Sequence, residues 1–215
     1  MIKAKNFPKL ESPFIRKDIN GQYICTPEIN EDYKWIFQPG EVTAVEKLDG
    51  TNTSIIIENK KVVSIYNRLN HIPFFKKGFG RFYEGIQNAI DKEYIKIEKL
   101  EDGQYFGELC GPMINGNPLK LTNHLWFPFN FLKERDKFKF WDGYIETLKD
   151  KEENEIFNSV KETFKGLWSL ERRRKGVKEP AEGIVFYNKT GGMCKLRRDM
   201  FDGFKNKKHK ENTNK

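Results

Sequence analysis

The order of strand-like and helix-like stretches constrains this chain more than any other feature. V-T-A-V-E-K (42–47), T-S-I-I-I-E (53–58) and K-V-V-S-I-Y (61–66) read as strands, and E-N-K-K between the last two reads as a hairpin turn. R-F-Y-E-G-I-Q-N-A-I-D-K-E-Y (81–94) has helical spacing of Phe82, Ile86, Ala89 and Ile90. Q-Y-F-G-E-L (104–109) and L-W-F-P-F-N-F (125–131) are strand candidates, the second despite its proline. The charged stretch 143–175 reads mostly helical, with apolar Ile156, Val160, Phe164 and Leu167. E-G-I-V-F-Y (182–187) and G-M-C-K-L-R (192–197) read as two strands joined by the turn N-K-T-G-G. Residues 1–40 carry four prolines and read as irregular with short strands. Strands, helix, strands, helices, strands is the order of an α+β fold with mostly antiparallel sheets and flanking helices, not of a doubly wound parallel sheet.

Composition narrows the class. At 215 residues, 37% hydrophobic and 33% charged, the chain reads as a soluble polar protein long enough to bury a core, with eighteen Phe and four Trp supplying apolar surface. No run approaches the roughly 18 apolar residues that span a bilayer, and M-I-K-A-K-N-F-P lacks the apolar stretch of a signal peptide, so a cytoplasmic protein (host cytoplasm if viral) is expected. Three widely spaced cysteines fit reduced thiols and no metal motif. The net charge of +8 fits a polyanionic partner, and equally an ordinary lysine-rich surface. There is no G-x-x-x-x-G-K-[ST], no complete G-x-G-x-x-G, no G-x-S-x-G, and no zinc spacing of His71, His124 and His209.

E-K-L-D-G-T-N (46–52) follows an apolar strand, and here the chemistry concentrates. A lysine that attacks phosphorus must be uncharged at that moment, which nearby cations and desolvation favour. The attacked phosphate needs cations, a metal needs carboxylates, and a base needs an aromatic or apolar sandwich. The chain offers each near the end of an expected strand: Arg68 in Y-N-R-L-N, Glu108 in Y-F-G-E-L, Phe127, Phe129 and Phe131 in W-F-P-F-N-F, Glu182 in E-G-I-V-F, and Lys195 and Arg197 in C-K-L-R. Period two puts Lys195 and Arg197 on one face of their strand, with Leu196 on the other and Cys194 packed inward.

Together these segments resemble the covalent nucleotidyltransferase superfamily of ATP-dependent ligases and mRNA capping enzymes. K-L-D-G resembles motif I, the arginine of Y-N-R motif Ia, Y-F-G-E-L motif III, the Phe-rich segment motif IIIa, E-G-I-V-F motif IV, and K-L-R motif V, in order from Glu46 to Arg197. E-K-L-D-G-T-N and F-G-E-L-x-G-P are most similar to the RNA ligase branch that seals nicks. The resemblance implies the ligase adenylation (nucleotidyltransferase, ATP-grasp-like) fold over 1–204, with a helical insert at about 143–175; the tail 205–215 reads as basic and disordered, and, in a departure from DNA ligases and capping enzymes, no C-terminal OB domain is expected. It implies an ATP-dependent RNA ligase joining 3′-OH and 5′-phosphate ends of nucleic acid through lysyl-AMP on Lys47, with Mg²⁺ or Mn²⁺; a monomer is expected. By the same resemblance Glu46 touches the adenine edge, Asp49 orders metal-bound water or its loop, and Asn52 sits near the nucleic-acid end. Arg68 contacts phosphate, ribose or nucleic acid. Glu108 binds ribose or the metal shell, Phe129 stacks on adenine, Glu182 helps hold the metal, and Lys195 and Arg197 grip the α-phosphate. The family's motif V reads K-x-K, so Arg197 replaces a point ammonium with a planar fork. A DNA ligase core, a capping guanylyltransferase and a nucleic-acid-binding protein with an inactive ligase fold are the rival readings. R-R-R-K (172–175) is either an RNA-facing patch or a solvated helix end.

Overall fold

A computed structural model describes residues 2–40, 42–74 and 77–204; the expected basic tail at 205–215 lies outside them. The elements run β1 (Phe14–Ile19), β2 (Gln22–Ile29), β3 (Val42–Lys47), β4 (Thr51–Glu58), β5 (Lys61–Asn67), β6 (Asn70–His71), α1 (Gly80–Asp91), β7 (Gly103–Cys110) and β8 (Leu125–Pro128). They continue as α2 (Phe129–Arg135), α3 (Phe140–Glu146), α4 (Glu153–Lys165), α5 (Leu170–Arg173), β9 (Gly183–Asn188) and β10 (Met193–Arg197). Every strand pairing among these is antiparallel, as the α+β reading expects.

The chain folds as two compact units, and neither is one continuous stretch. Among the described residues, one comprises 2–9 and 48–136, the other 10–47 and 137–204. The chain therefore passes from one unit to the other three times, once between Lys47 and Leu48.

The first unit is built on a sheet of order β6-β5-β4-β7-β8. The E-N-K-K turn forms as expected: Asn59 and Lys60 both take positive φ (51° and 60°), the two-residue geometry that matches strand twist, and Glu58 pairs with Lys61. Helix α1 buries Phe82, Ile86 and Ala89 and packs on β8. The Phe-rich segment departs from expectation. Strand β8 ends at Pro128, which pairs with Gly107, and α2 starts at Phe129. Proline has no N–H for the ladder, and its φ of −57° suits the entry to a helix. Phe129 and Phe131 are thus helical, and of the three phenylalanines only Phe127 lies in the strand, fully buried.

The second unit holds the hairpin β1-β2 and a three-stranded sheet of order β10-β9-β3. Asn188 closes the N-K-T-G-G turn by accepting from the backbone N–H groups of Thr190 (3.1 Å) and Gly192 (2.6 Å). Helices α3 and α4 bury Trp141, Ile145, Ile156, Phe157, Val160 and Phe164 into one core with Phe14, Phe186, Leu196 and Phe201. The expected helical stretch is present, beginning at Phe140 and broken into three helices. Among the described residues, no helix is long and apolar enough to cross a membrane.

Candidate active site

The second unit carries the lysine of motif I. Strand β3 pairs with β9 so that Lys47 lies opposite Gly183, and β10 places Arg197 opposite the same glycine. Gly183 is required by this close approach: a Cβ there would lie 2.2 Å from the backbone oxygen of Leu196. The residue before it, Glu182, is thereby delivered to Lys47. The Lys47 Nζ donates to Glu182 Oε2 at 2.8 Å, with both side chains about one-fifth exposed.

Strand β10 alternates as its sequence indicates, with Cys194 and Leu196 fully buried and Lys195 and Arg197 half-buried on the opposite face. Burial pushes the Cys194 thiol well above its ordinary range and removes it from chemistry. Lys195 is held below the usual lysine range, first by desolvation and then by the positive charges of Lys47 and Arg197. Arg197 forms an ion pair with Asp199 at 3.0 Å. Three cations, Lys47, Lys195 and Arg197, therefore lie on this sheet, with the carboxylates of Glu182 and Asp199 against two of them.

Glu46 is engaged in a way its sequence does not announce. It is 2% exposed, and Oε2 accepts from the backbone N–H groups of Leu170 (2.7 Å) and Glu171 (3.0 Å). Ser169 Oγ accepts from the next amide, Arg172, at 3.2 Å. Three orphan donors of the first turn of α5 are thus satisfied, two of them by a residue 124 and 125 positions away. No periodic pattern encodes such a link.

The first unit holds the remaining expected residues. Glu108 lies opposite Asn52 in the β4-β7 pair, and its Oε1 accepts from the Gly50 N–H at 3.2 Å. Gly50 has no room for a side chain, since a Cβ would lie 2.4 Å from the Leu109 oxygen and 2.7 Å from Glu108 Cγ. Asn115, in the left-handed region (φ 48°), donates from Nδ2 to Asp49 Oδ1 (2.8 Å) and to the Gly50 carbonyl (2.6 Å). Arg68 is exposed at the first position of the β5-β6 turn, with φ 56° and its N–H donated to the Asn52 carbonyl.

The three phenylalanines divide. Phe127 is core, while Phe131 stacks on Tyr94 at 4.0 Å with Arg135 over its ring. Phe129 meets the edge of Phe7 at 4.8 Å. Phe7 also contacts Phe106, and the segment leading to it is held by reciprocal hydrogen bonds between Lys5 and Gln104. Nothing in the sequence singled out Phe7; a phenylalanine just before a proline in an irregular segment was the one available cue.

The structure thus brings Glu46, Lys47, Glu182, Lys195 and Arg197 together on one sheet, and Asp49, Asn52, Arg68 and Glu108 around another. Among the described residues no group of three or more His, Cys, Asp or Glu side chains could by itself hold a metal ion.

Comparison with known proteins bears on the family and the fold. A model of the RNA ligase family matches residues 40–201. The chain belongs to that family, and its antiparallel sheets and flanking helices form a ligase-type nucleotidyltransferase fold. Two solved structures of Naegleria gruberi RNA ligase are similar to it. One is a lysine-to-alanine mutant with ATP and Mn, at 15% identity and a TM-score of 0.50, covering 90% of this chain and 58% of that one. The other is an aspartate-to-alanine mutant without ligand, at 14% identity and a TM-score of 0.50, covering 91% and 57%. The chain spans less than three-fifths of the length of these relatives. No curated protein matches it.

Proposed function

We propose that this chain is an ATP-dependent RNA ligase, or the adenylation part of one, that joins 3′-OH and 5′-phosphate ends in an RNA nick. The observation that carries the reading is the Lys47–Glu182 contact at 2.8 Å on a sheet that also presents Lys195 and Arg197. An ammonium held by a carboxylate is not a nucleophile. It becomes one when its proton leaves and the carboxylate is engaged elsewhere.

Glu182 is the carboxylate on this sheet that would hold Mg²⁺ or Mn²⁺, and Glu108 the one on the other; the ion would supply charge neutralisation at the phosphates. Engaged there, the Glu182 carboxylate would be drawn away from the Lys47 ammonium, whose proton would then pass to solvent. The Lys47 Nζ attacks the α-phosphorus of ATP, the bond to pyrophosphate breaks, and a lysine–AMP phosphoramidate forms. Lys195 and Arg197 supply positive charge to the α-phosphate oxygens as charge builds there. An oxygen of the 5′-phosphate end next displaces Lys47 from AMP. The 3′-hydroxyl then attacks the activated end, and AMP leaves as the phosphodiester forms.

Glu46 positions rather than reacts, since its Oε2 is committed to α5; the adenine edge is its remaining role. Asp49 and Glu108 shape the loop after the lysine. Asn52 and Arg68 face nucleic acid, and Phe129, buttressed by Phe7, is the stacking candidate for adenine.

The test is incubation of the purified chain with Mg²⁺ and α-labelled ATP or, separately, GTP, after showing by mass that it carries no AMP already. Label from ATP on Lys47, discharged by a nicked duplex with a 5′-phosphate RNA end, is the expected result. Label from GTP alone would make the chain a capping enzyme. No label from either would leave a binding protein on a ligase fold.

A further inference from the structure

The second unit contains a groove of about 560 Å³ that the proposed chemistry does not use. It is lined by Lys137, Lys139, Phe140, Glu162, Trp168 and Arg173, among others. Its volume is in the range that holds small organic groups. We propose that this groove binds an unpaired nucleotide of the RNA strand, its base on the Phe140 ring and its flanking phosphates on Lys137, Lys139 and Arg173. The proposal rests on the ligase reading and extends it to the strand that must be held.

Three observations support this occupant. The first is charge. Lys137, Lys139 and Arg173 have no carboxylate partner among the described residues, whereas Glu162 on the same rim is neutralised by Lys165 at 2.6 Å. A net positive rim around an apolar floor suits a phosphodiester that carries a flat base.

The second is the division of labour within R-R-R-K. Arg172 is buried and pairs with Glu179 at 3.2 Å, and Arg174 pairs with Glu171 at 3.1 Å. Arg173 alone of the three arginines lines the groove. A merely solvated helix end would not sort its arginines in this way.

The third is a prepared platform. Phe140 is 44% exposed, a large apolar ring left in water. Phe138, Trp141 and Tyr144 fix it at centroid distances of 5.9, 6.3 and 6.3 Å and tilts of 62–65°. Trp168 is less available, since the Lys178 ammonium sits 4.6 Å from its ring centroid. The groove is also tied to the reactive strand: Leu170 lines it while donating its N–H to Glu46, the neighbour of Lys47.

Fluorescence anisotropy of the full chain with a labelled single-stranded RNA, over a salt series, tests the proposal. Phe140→Ala should weaken binding about tenfold, as expected for one lost stacked base, and Phe140→Tyr should restore it. The double variant Lys139→Ala/Arg173→Ala should weaken binding about tenfold at low salt and flatten the logarithmic salt slope by about 1.4. Lys17→Ala/Lys34→Ala, which removes two charges paired outside the groove, should change neither slope nor stacking. Lysine labelling by ATP should stay within about twofold in all of them.

RNA affinity unchanged in both groove variants would overturn the proposal. So would labelling that falls in step with RNA affinity, because the groove would then serve the free nucleotide. A chain that never labels yet loses RNA affinity in these variants would keep the groove and remove the ligase reading.

Discussion

The sheet β10-β9-β3 and the sheet β6-β5-β4-β7-β8 hold their polar groups by different means. On the first, side chains of opposite and like charge restrain one another: Lys47 with Glu182, and Lys195 beside Lys47 and Arg197. On the second, backbone groups do the work: the Gly50 N–H meets Glu108, the Arg68 N–H meets the Asn52 carbonyl, and Asn115 ties Asp49 to Gly50. A charge-held arrangement is sensitive to protons and to single substitutions. A backbone-held one is sensitive to loop geometry. Lys47, the lysine proposed to react, belongs to the first kind.

Substitutions at four positions would break or sharpen that contrast. The largest effect is expected from Lys47→Ala, which should abolish transfer of label from ATP while leaving RNA affinity within about twofold; denaturing gels and anisotropy read the two separately.

Next comes Gly183→Ala. Its Cβ would sit 2.2 Å from a backbone oxygen that cannot swing away. The charged sheet should lose about 2–3 kcal/mol of stability, read as a fall in urea midpoint. If the midpoint holds, the strands are not as tightly apposed as described.

Glu46→Ala removes a carboxylate from two amides of α5. A cost of about 1.5–3 kcal/mol is expected, with Glu46→Gln recovering part of it, since the amide oxygen can still accept. Equal destabilisation by Ala and Gln would show that shape rather than hydrogen bonding matters there.

The smallest effect concerns protons. Lys195 has a folded pKa below its ordinary 10.5, chiefly through desolvation. Between those two values the unfolded chain keeps a proton that the folded chain has lost, so stability should rise with pH across that window. Lys195→Met should flatten the rise, as urea midpoints between neutral and strongly alkaline pH would reveal. An unchanged profile would mean that Lys195 is better solvated than its neighbours suggest.

Much of this was legible in the chain. The strand runs at 42–47, 53–58, 61–66, 104–109, 182–187 and 192–197 and the helix at 81–94 follow from local alternation or helical spacing, and each lies close to its observed element. Local pattern failed where a single residue redirected the backbone. W-F-P-F-N-F has the composition of a strand, but Pro128 ends the ladder and turns Phe129 and Phe131 into a helix. Contacts between distant residues were also invisible. Glu46 at the start of α5, and Phe7 against Phe106 and Phe129, join positions about a hundred or more apart that carry no mutual signal. The motif residues were easy to place on the fold because each sits near a strand end, where short-range pattern is strongest.

The three passages of the chain between its two units set a rule for any recombination of this fold. Exchanging one unit for that of a relative would need breakpoints near residues 9, 47 and 136, not a single crossover. One of those breakpoints falls inside E-K-L-D-G, immediately after Lys47. A chimera joined there would inherit its lysine from one parent and the loop that follows it from the other. Of all the seams in this protein, that one must be matched residue for residue.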